Sequence, residues 1–346
     1  MDQLLFPTAS STTEEILDKV AEDIGVFTKF VLAFYGIICV VGITGNLLVV
    51  IVLLRVPSLR SNTSDFLVHL SIVDALTCVF VIPYYLVPQT SSSSNPGFFD
   101  EFWCRFYTSQ FLFWCLAVTS ALSLITVNLE RYVAIVHPHK YKTVFSKRNK
   151  YLMIAAWWIL ALITKCFNFF VYGDGGTGCT FSGWPNRGFQ IAFGFYTFSV
   201  NFFVPFVVMV FAQRRVISSL RSQVMRLYVR SAFMNANLRD QREMWQLRAS
   251  QTLVKTLLAC VMTFAVCWAP NQIWFLLFNC GVPFKIGAPD HDITIILAVG
   301  NSCVNPVIYT MMNKPFRKGI REVFCKQRDS NQVGDNNGAH GRDYDI

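Results

Sequence analysis

Seven stretches of the chain run apolar for about twenty residues or more: about 29–54, 66–88, 106–136, 151–172, 188–212, 252–278 and 293–312. A helix needs ~20 mostly apolar residues to cross ~30 Å of hydrocarbon. The runs lack the ten-residue alternation of barrel strands, and only helices or closed barrels leave no backbone group unsatisfied in lipid. The pattern therefore predicts an all-α membrane protein, a bundle of seven transmembrane helices over 29–312. Residues 1–28 are expected to form a polar N-terminal tail and 326–346 a disordered C-terminal one. "RRVISSLRSQVMRLYVRS", after the fifth run, has the spacing to extend that helix as an amphipathic one. No internal repeat or second domain is visible. Lys255, near a run end, can carry its head group to the interface. Lys165 lies deeper in its run, and the pattern gives no account of it.

Composition sharpens this picture. Charged residues make up 15% of the chain, against about a quarter in soluble domains, and 53% is hydrophobic. The segments after runs 1, 3, 5 and 7 hold 22 of the 30 Lys and Arg, and the opposite segments four. Positive segments stay in the cytoplasm, so the N-terminus is expected outside and the C-terminus inside. The net charge of +9 is then a topology signal and no argument for nucleic acid. The first 28 residues lack the apolar core of a signal peptide, so the first run is expected to act as its own insertion signal.

Cys104, Cys179 and Cys280 fall on the expected outer side. A bridge between Cys104 and Cys179 is expected in that oxidising compartment, with two free thiols as the alternative and Cys280 left free. The same side carries Glu14, Glu15, Asp18, Glu22, Asp23, Asp100, Glu101, Asp174, Asp290 and Asp292. Such a rim would concentrate a basic ligand; plain solvation is the alternative. The one glycosylation sequon, at Asn62, falls on the inner side.

Several residues are expensive in lipid. Asp74, in "LSIVDAL", is the one acid deep in a run. Intramembrane carboxylates face the bundle interior with a partner. Asn46, Ser120, Asn301, Ser302 and Asn305 are its candidate partners, and their oxygens suit a hard cation such as sodium. A protonated Asp74 in a water network is the alternative. Pro205, Pro270 and Pro306 each remove a helix hydrogen bond. Glu130 and Arg131 end a long uncharged stretch, and Arg131 could hold its neighbour or leave it for another partner. Charge-assisted hydrogen bonds of ~1.5–3 kcal/mol each are of the size that biases a conformational equilibrium.

"GITGNLLVV", "LSIVDAL", Cys104, "ERY", Trp158, Pro205, "FAVCWAP" and "NPVIY" occur in order, one per run. Together they resemble the rhodopsin-like (class A) G-protein-coupled receptors over about 29–325, in particular peptide receptors of the galanin, allatostatin and somatostatin type. The resemblance implies a sodium pocket at Asn46, Asp74, Ser120, Asn301, Ser302 and Asn305. It implies switches at Glu130, Arg131, Tyr132, Pro205, Phe264, Trp268, Pro270, Pro306 and Tyr309, with helix 6 swinging outward as a heterotrimeric G protein engages Arg131. It implies a short amphipathic eighth helix over 313–325, with Cys325 a palmitoylation site. There are departures. The Cys104-to-Arg131 spacing is two residues longer than usual, which unsettles the disulfide register. The proline near the end of helix 4 is missing. Gln213 replaces a helix 5 tyrosine, Ala121 a branched residue, and Ser250 and Gln251 stand where some members have an acid that restrains Arg131.

Phe113 stands where amine receptors carry an Asp, and Val299 where opsins carry the retinal Lys, so an amine and retinal are argued down. The expected ligand pocket is Gln110, Phe113, Trp114, Asn271, Gln272, Phe275, His291 and Ile295, aromatic and amide-lined without a central charge. That suits a small peptide with aromatic or amidated ends; a lipid ligand is the alternative. A transporter would show internal symmetry, which is absent here, and no His converges with a second ligand or nucleophile, so no enzyme is expected. The partners expected are a peptide, a G protein and anionic lipid at the basic loops. Arrestin contact through tail phosphorylation looks weak, because Ser330 and Tyr344 are the tail's hydroxyls; Ser218, Ser219 and Ser222 are alternatives.

Overall fold

The computed structural model describes residues 9–87, 98–174, 179–233 and 238–332. Each apolar run becomes a helix, and seven are long and apolar enough to cross a membrane: Gly25–Arg55, Asn62–Leu86, Glu101–Val136, Lys147–Val171, Arg187–Ser231, Asp240–Cys280 and Pro289–Met312. The elements are α1 (Ala9–Arg55), α2 (Asn62–Val81), α3 (Phe98–Trp103), α4 (Phe111–Val136), α5 (Pro138–Val144), α6 (Lys147–Lys165), α7 (Asn168–Val171), β1 (Tyr172–Asp174), β2 (Cys179–Phe181), α8 (Arg187–Phe198), α9 (Val204–Phe233), α10 (Leu238–Cys280), α11 (Pro289–Met312) and α12 (Lys314–Gln332).

Helix starts follow local chemistry. Ser61 caps α2 in a reciprocal pair with Ser64, satisfying two of the orphan donors of the first turn. Ser146 caps α6 through the Asn149 N–H, and Asn186 caps α8 through that of Phe189. The bundle core lies where α1, α2, α4, α6, α9, α10 and α11 face one another, around Val52, Leu70, Leu124, Met209, Leu257 and Phe264. Large apolar side chains such as Val40, Ile163 and Val266 remain on the outside, as lipid-facing positions should. Gly45 admits Pro306: a Cβ there would meet the proline ring at 3.0 Å.

Among the described residues, three π-helical turns interrupt the spans, at Ile82–Leu86, Cys104–Thr108 and Ser199–Phe203. The first contains Pro83 and the third precedes Pro205, residues whose missing N–H frees a carbonyl one turn back. The second absorbs the surplus between Cys104 and Arg131. Two residues after it comes Gln110, the one non-glycine residue with positive φ among those described (φ 56°). The Cys104–Cys179 bridge forms despite that surplus, with Cα atoms 5.4 Å apart. Cys280 is free and exposed.

The structure also differs from the expected boundaries. α1 starts at Ala9, within the expected polar tail, and α12 reaches Gln332, past the expected end at 325. α9 continues to Phe233, and α10 begins at Leu238, so most of the long basic segment between them is helix. Water satisfies polar side chains on a projecting helix, so hydropathy marks the membrane boundary and not the helix end. A two-stranded antiparallel hairpin, pairing Tyr172 with Phe181 and Asp174 with Cys179, adds a small β element to the all-α plan.

Candidate functional site

At the disulfide end, α4, α6, α8, α10 and α11 enclose a cavity of about 150 Å³. Of the expected pocket residues, Gln110, Trp114, Asn271, Gln272, Phe275, His291 and Ile295 line it. Gln110 accepts a hydrogen bond from the Tyr85 hydroxyl at 2.7 Å. Asn271 donates to Thr294 Oγ1 at 3.3 Å, and Gln272 to Asn271 Oδ1 at 3.2 Å. His291 lies against Trp274, ring centres 4.3 Å apart, while the Trp274 indole N–H bonds Asp290 at 2.7 Å.

Two expectations about this pocket are corrected. Phe113 does not line the cavity. It is buried to 1% exposure in a second cluster, edge-on to Tyr84 and Tyr85. Neighbours on a helix point about 100° apart, and here that rotation turns Trp114 to the cavity and Phe113 to the tyrosine cluster. The lining also contains a charge, where none was expected: Lys165, at the end of α6, is 7% exposed with its Nζ 5.4 Å from the centre of the Trp114 ring. An ionisable residue deep in an apolar run was the signal in the sequence that should have placed it at a site. Asn168, Trp184, Thr197 and Asn201 also line the cavity, and no pattern of spacing selects them.

Beneath the cavity, Trp268 stacks on Phe264 (5.9 Å) and Phe264 on Phe202 (6.0 Å), in the π turn before Pro205. Asp74 is fully buried at mid-bundle. Ser120 Oγ donates to it at 2.5 Å and Asn305 Nδ2 at 2.9 Å. Asn46 Nδ2 donates to the carbonyls of Gly42 and Ser302, both at 2.8 Å, tying α1 to α11. The Oδ1 atoms of Asn46, Asn301 and Asn305 are buried without a protein partner. An all-oxygen set of one carboxylate and unpaired amide oxygens fits a hard cation.

At the opposite end, Glu130 is completely buried and Arg131 stays with it. Arg131 Nε and Nη2 donate to its carboxylate at 2.6 and 2.8 Å. Thr63 Oγ1, on α2, donates to Glu130 at 2.8 Å and also contacts Arg131 Nη2. The Tyr141 hydroxyl, on α5, donates to Glu130 at 2.5 Å. Burial, and then that bond, pushes the Tyr141 phenol up to about 12, so it remains a donor at physiological pH. Neither Thr63 nor Tyr141 was legible as a partner, since only the fold brings α2 and α5 to this point. Tyr132 bonds His137 at 3.1 Å, and Tyr309 is buried with its hydroxyl unpartnered. Arg131, Ser250, Tyr309 and Asn313 border a second cavity of about 270 Å³ that opens at this end. Gln213 donates to Asn128 Oδ1 at 2.5 Å, joining α9 to α4 one turn before Arg131. The side chain of Cys325 lies outside the described residues.

Residues 45–309 match the family described as 7 transmembrane receptor (rhodopsin family). The chain belongs to that family. Among curated relatives it is similar to the allatostatin-A receptor of Bombyx mori, 28% identical over 90% of this chain and 82% of the relative. It is similar to the galanin receptor type 1 of Rattus norvegicus, 27% identical over 90% and 87%. It is also similar to the substance-K receptor of Mus musculus, 29% identical over 84% and 74%. This rhodopsin-family chain is thus a multi-pass membrane receptor and not an enzyme.

Proposed function

We propose that the receptor binds an extracellular peptide in the cavity at its disulfide end and activates a heterotrimeric G protein at its Arg131 end. The disulfide end would face outside and the basic segments the cytoplasm; the Lys and Arg distribution supports that orientation. The observation that carries this reading is the closed Glu130–Arg131 pair, buried on one side and bordering an open cavity on the other. Freeing Arg131 exposes a fork of donors to a partner, at the cost of its bonds to Glu130. Ligand binding shifts that equilibrium only by its differential affinity for the two arrangements. The path between the ends runs through Trp268, Phe264 and the π turn at Pro205 above, and through Asp74 and Asn305 beside Pro306 below. Asn46, Asp74, Ser120, Asn301, Ser302 and Asn305 would hold a sodium ion, whose charge would offset a carboxylate that otherwise meets neutral donors. Relatives named for allatostatin, galanin and substance K support a peptide ligand. Cys325 is the candidate acylation point, and arrestin contact would draw on Ser218, Ser219 and Ser222.

The test is ligand-stimulated GTP exchange on added heterotrimers, using a peptide library and the full-length receptor in lipid nanodiscs. Stimulation by a peptide that is lost on Arg131→Ala supports the reading. Stimulation that persists in Arg131→Ala on every heterotrimer refutes the role of Arg131.

A further inference from the structure

Among the described residues, Lys165 has no anionic partner. Its one described polar-type contact is the Trp114 ring face at 5.4 Å, and no hydrogen bond or ion pair reaches its Nζ among the described residues. No Asp or Glu is among the described residues that line the cavity. Two acids at this end are engaged elsewhere: Asp290 accepts from Trp274, and Glu101 pairs with Arg105 at 2.5 Å. An aromatic face attracts an ammonium but accepts none of its N–H bonds as a lone pair would. Burying such a group without an anion is costly, and natural bundles keep intramembrane cations where a partner arrives.

A second group points the same way. Asn201 sits in the π turn Ser199–Phe203, lines the same cavity, and is 3% exposed with both side-chain polar atoms unpartnered. π turns re-aim a side chain and recur at functional sites. Two buried groups from different spans, an ammonium and an amide, thus line one small cavity with donors left unpaired among the described residues; the unpartnered acceptors there, Asn201 Oδ1 and Gln272 Oε1, are neutral and supply no counter-charge. Trp114, Phe167, Trp184 and Phe275 supply aromatic wall beside the neutral amides of Gln110, Asn168, Asn271 and Gln272. A cavity of this volume holds about one benzene-sized ring.

We infer that this cavity recognises a carboxylate borne on an apolar stem at the inserted end of the ligand, with Lys165 supplying the charge and Asn201 a second donor. The inference rests on the reading that this cavity is the ligand site. It replaces the amide-ended ligand expected from an uncharged pocket. The carboxylate could be the free C-terminus or an acidic side chain of a peptide, or the head of a fatty acid. Acids such as Asp290 and Asp292 at the mouth would favour basic groups farther along the same ligand.

The experiment uses full-length receptor in nanodiscs and measures thermal stabilisation by 3-phenylpropionate and by 3-phenylpropionamide, which differ only in the charged end. The acid should half-saturate at a concentration about tenfold or more below the amide, the ratio expected for a charge-assisted bond. Lys165→Met should abolish the preference and Lys165→Arg should retain it. Equal potency of acid and amide on the unmodified receptor overturns the inference and needs no variant to fold. A preference that survives in folded Lys165→Met overturns it as well. The source is read by GTP exchange with library peptides as free acids and C-terminal amides, and with myristate and methyl myristate. An acid preference among peptides assigns the carboxylate to a peptide. An acid preference confined to myristate assigns it to a lipid and retires the peptide reading while leaving the carboxylate inference standing.

Discussion

Removing one hydroxyl from Tyr141 should raise signalling in the absence of ligand. Glu130 accepts from Arg131, Thr63 and Tyr141, and the Tyr141 bond of 2.5 Å is the one that can be deleted without touching the ion pair. Tyr141→Phe keeps the ring, which packs against Phe145 at 5.8 Å between centres, and takes away only the donor. A hydrogen bond to a charged group contributes about 1.5–3 kcal/mol. If opening separates α5 from Glu130, that whole amount belongs to the closed arrangement. The open-to-closed ratio then rises roughly 10- to 150-fold at 1.36 kcal/mol per decade. A receptor that is about 1% open at rest would become about 9–60% open. The assay is GTP exchange on heterotrimer by purified receptor without ligand, normalised to folded protein. Thr63→Val should act in the same direction. Because both residues bond one carboxylate, the double variant should fall short of the sum of the two. Exchange by Tyr141→Phe equal to that of the unmodified receptor would refute the claim that this bond restrains Arg131.

Three further outcomes follow from individual contacts. The Cys104→Ser/Cys179→Ser double variant should lose about 2–4 kcal/mol of stability, read as a lower midpoint in thermal unfolding and reduced surface expression. Gln213→Leu leaves the buried Asn128 Oδ1 without its donor and should cost about 1–3 kcal/mol, again read as a lowered midpoint; an unchanged midpoint would mean the pair is incidental. Replacing choline chloride by sodium chloride should stabilise the unmodified receptor, by about 1.4 kcal/mol at tenfold above the dissociation constant, and should leave Asp74→Asn unmoved. Equal sodium responses in the two proteins would remove the ion from the polar cluster.

The spans were legible because lipid imposes one rule, a long apolar helix, and each of the seven runs obeys it. Polar residues inside the runs were legible as a set for the same reason: Asp74, Asn46 and Asn305 are too costly in hydrocarbon to lack partners. What hydropathy cannot encode is rotation and contact between elements. Phe113 and Trp114 are equally apolar, yet one packs against Tyr84 and the other lines the cavity. Pro83 lay within an uninterrupted apolar run, and only the structure shows the π turn around it. Lys165 gave a signal that composition alone could not interpret, because its meaning depends on which side of α6 meets Trp114.

The surplus of two residues between Cys104 and Arg131 shows how two fixed ends dictate a local break. In an unbroken helix, two added residues would turn one end about 200° relative to the other and lengthen the axis by about 3 Å. Neither end can accept that. Cys104 is bonded to the loop carrying Cys179, and Arg131 is bonded to Glu130 and touches Thr63 on α2. The excess therefore collects in the π turn Cys104–Thr108 and the left-handed Gln110, between the anchors and beside the cavity. A left-handed backbone is unfavourable for a residue with a Cβ. Gln110 is held there by the bonds of its N–H to Tyr107, of its carbonyl to the Trp114 N–H and of its side chain to Tyr85. The break thus lets the disulfide register survive while α4 keeps its continuous phase from Phe111 to the Arg131 end. That continuity leaves Trp114, and with it the partner face of Lys165, directed into the cavity.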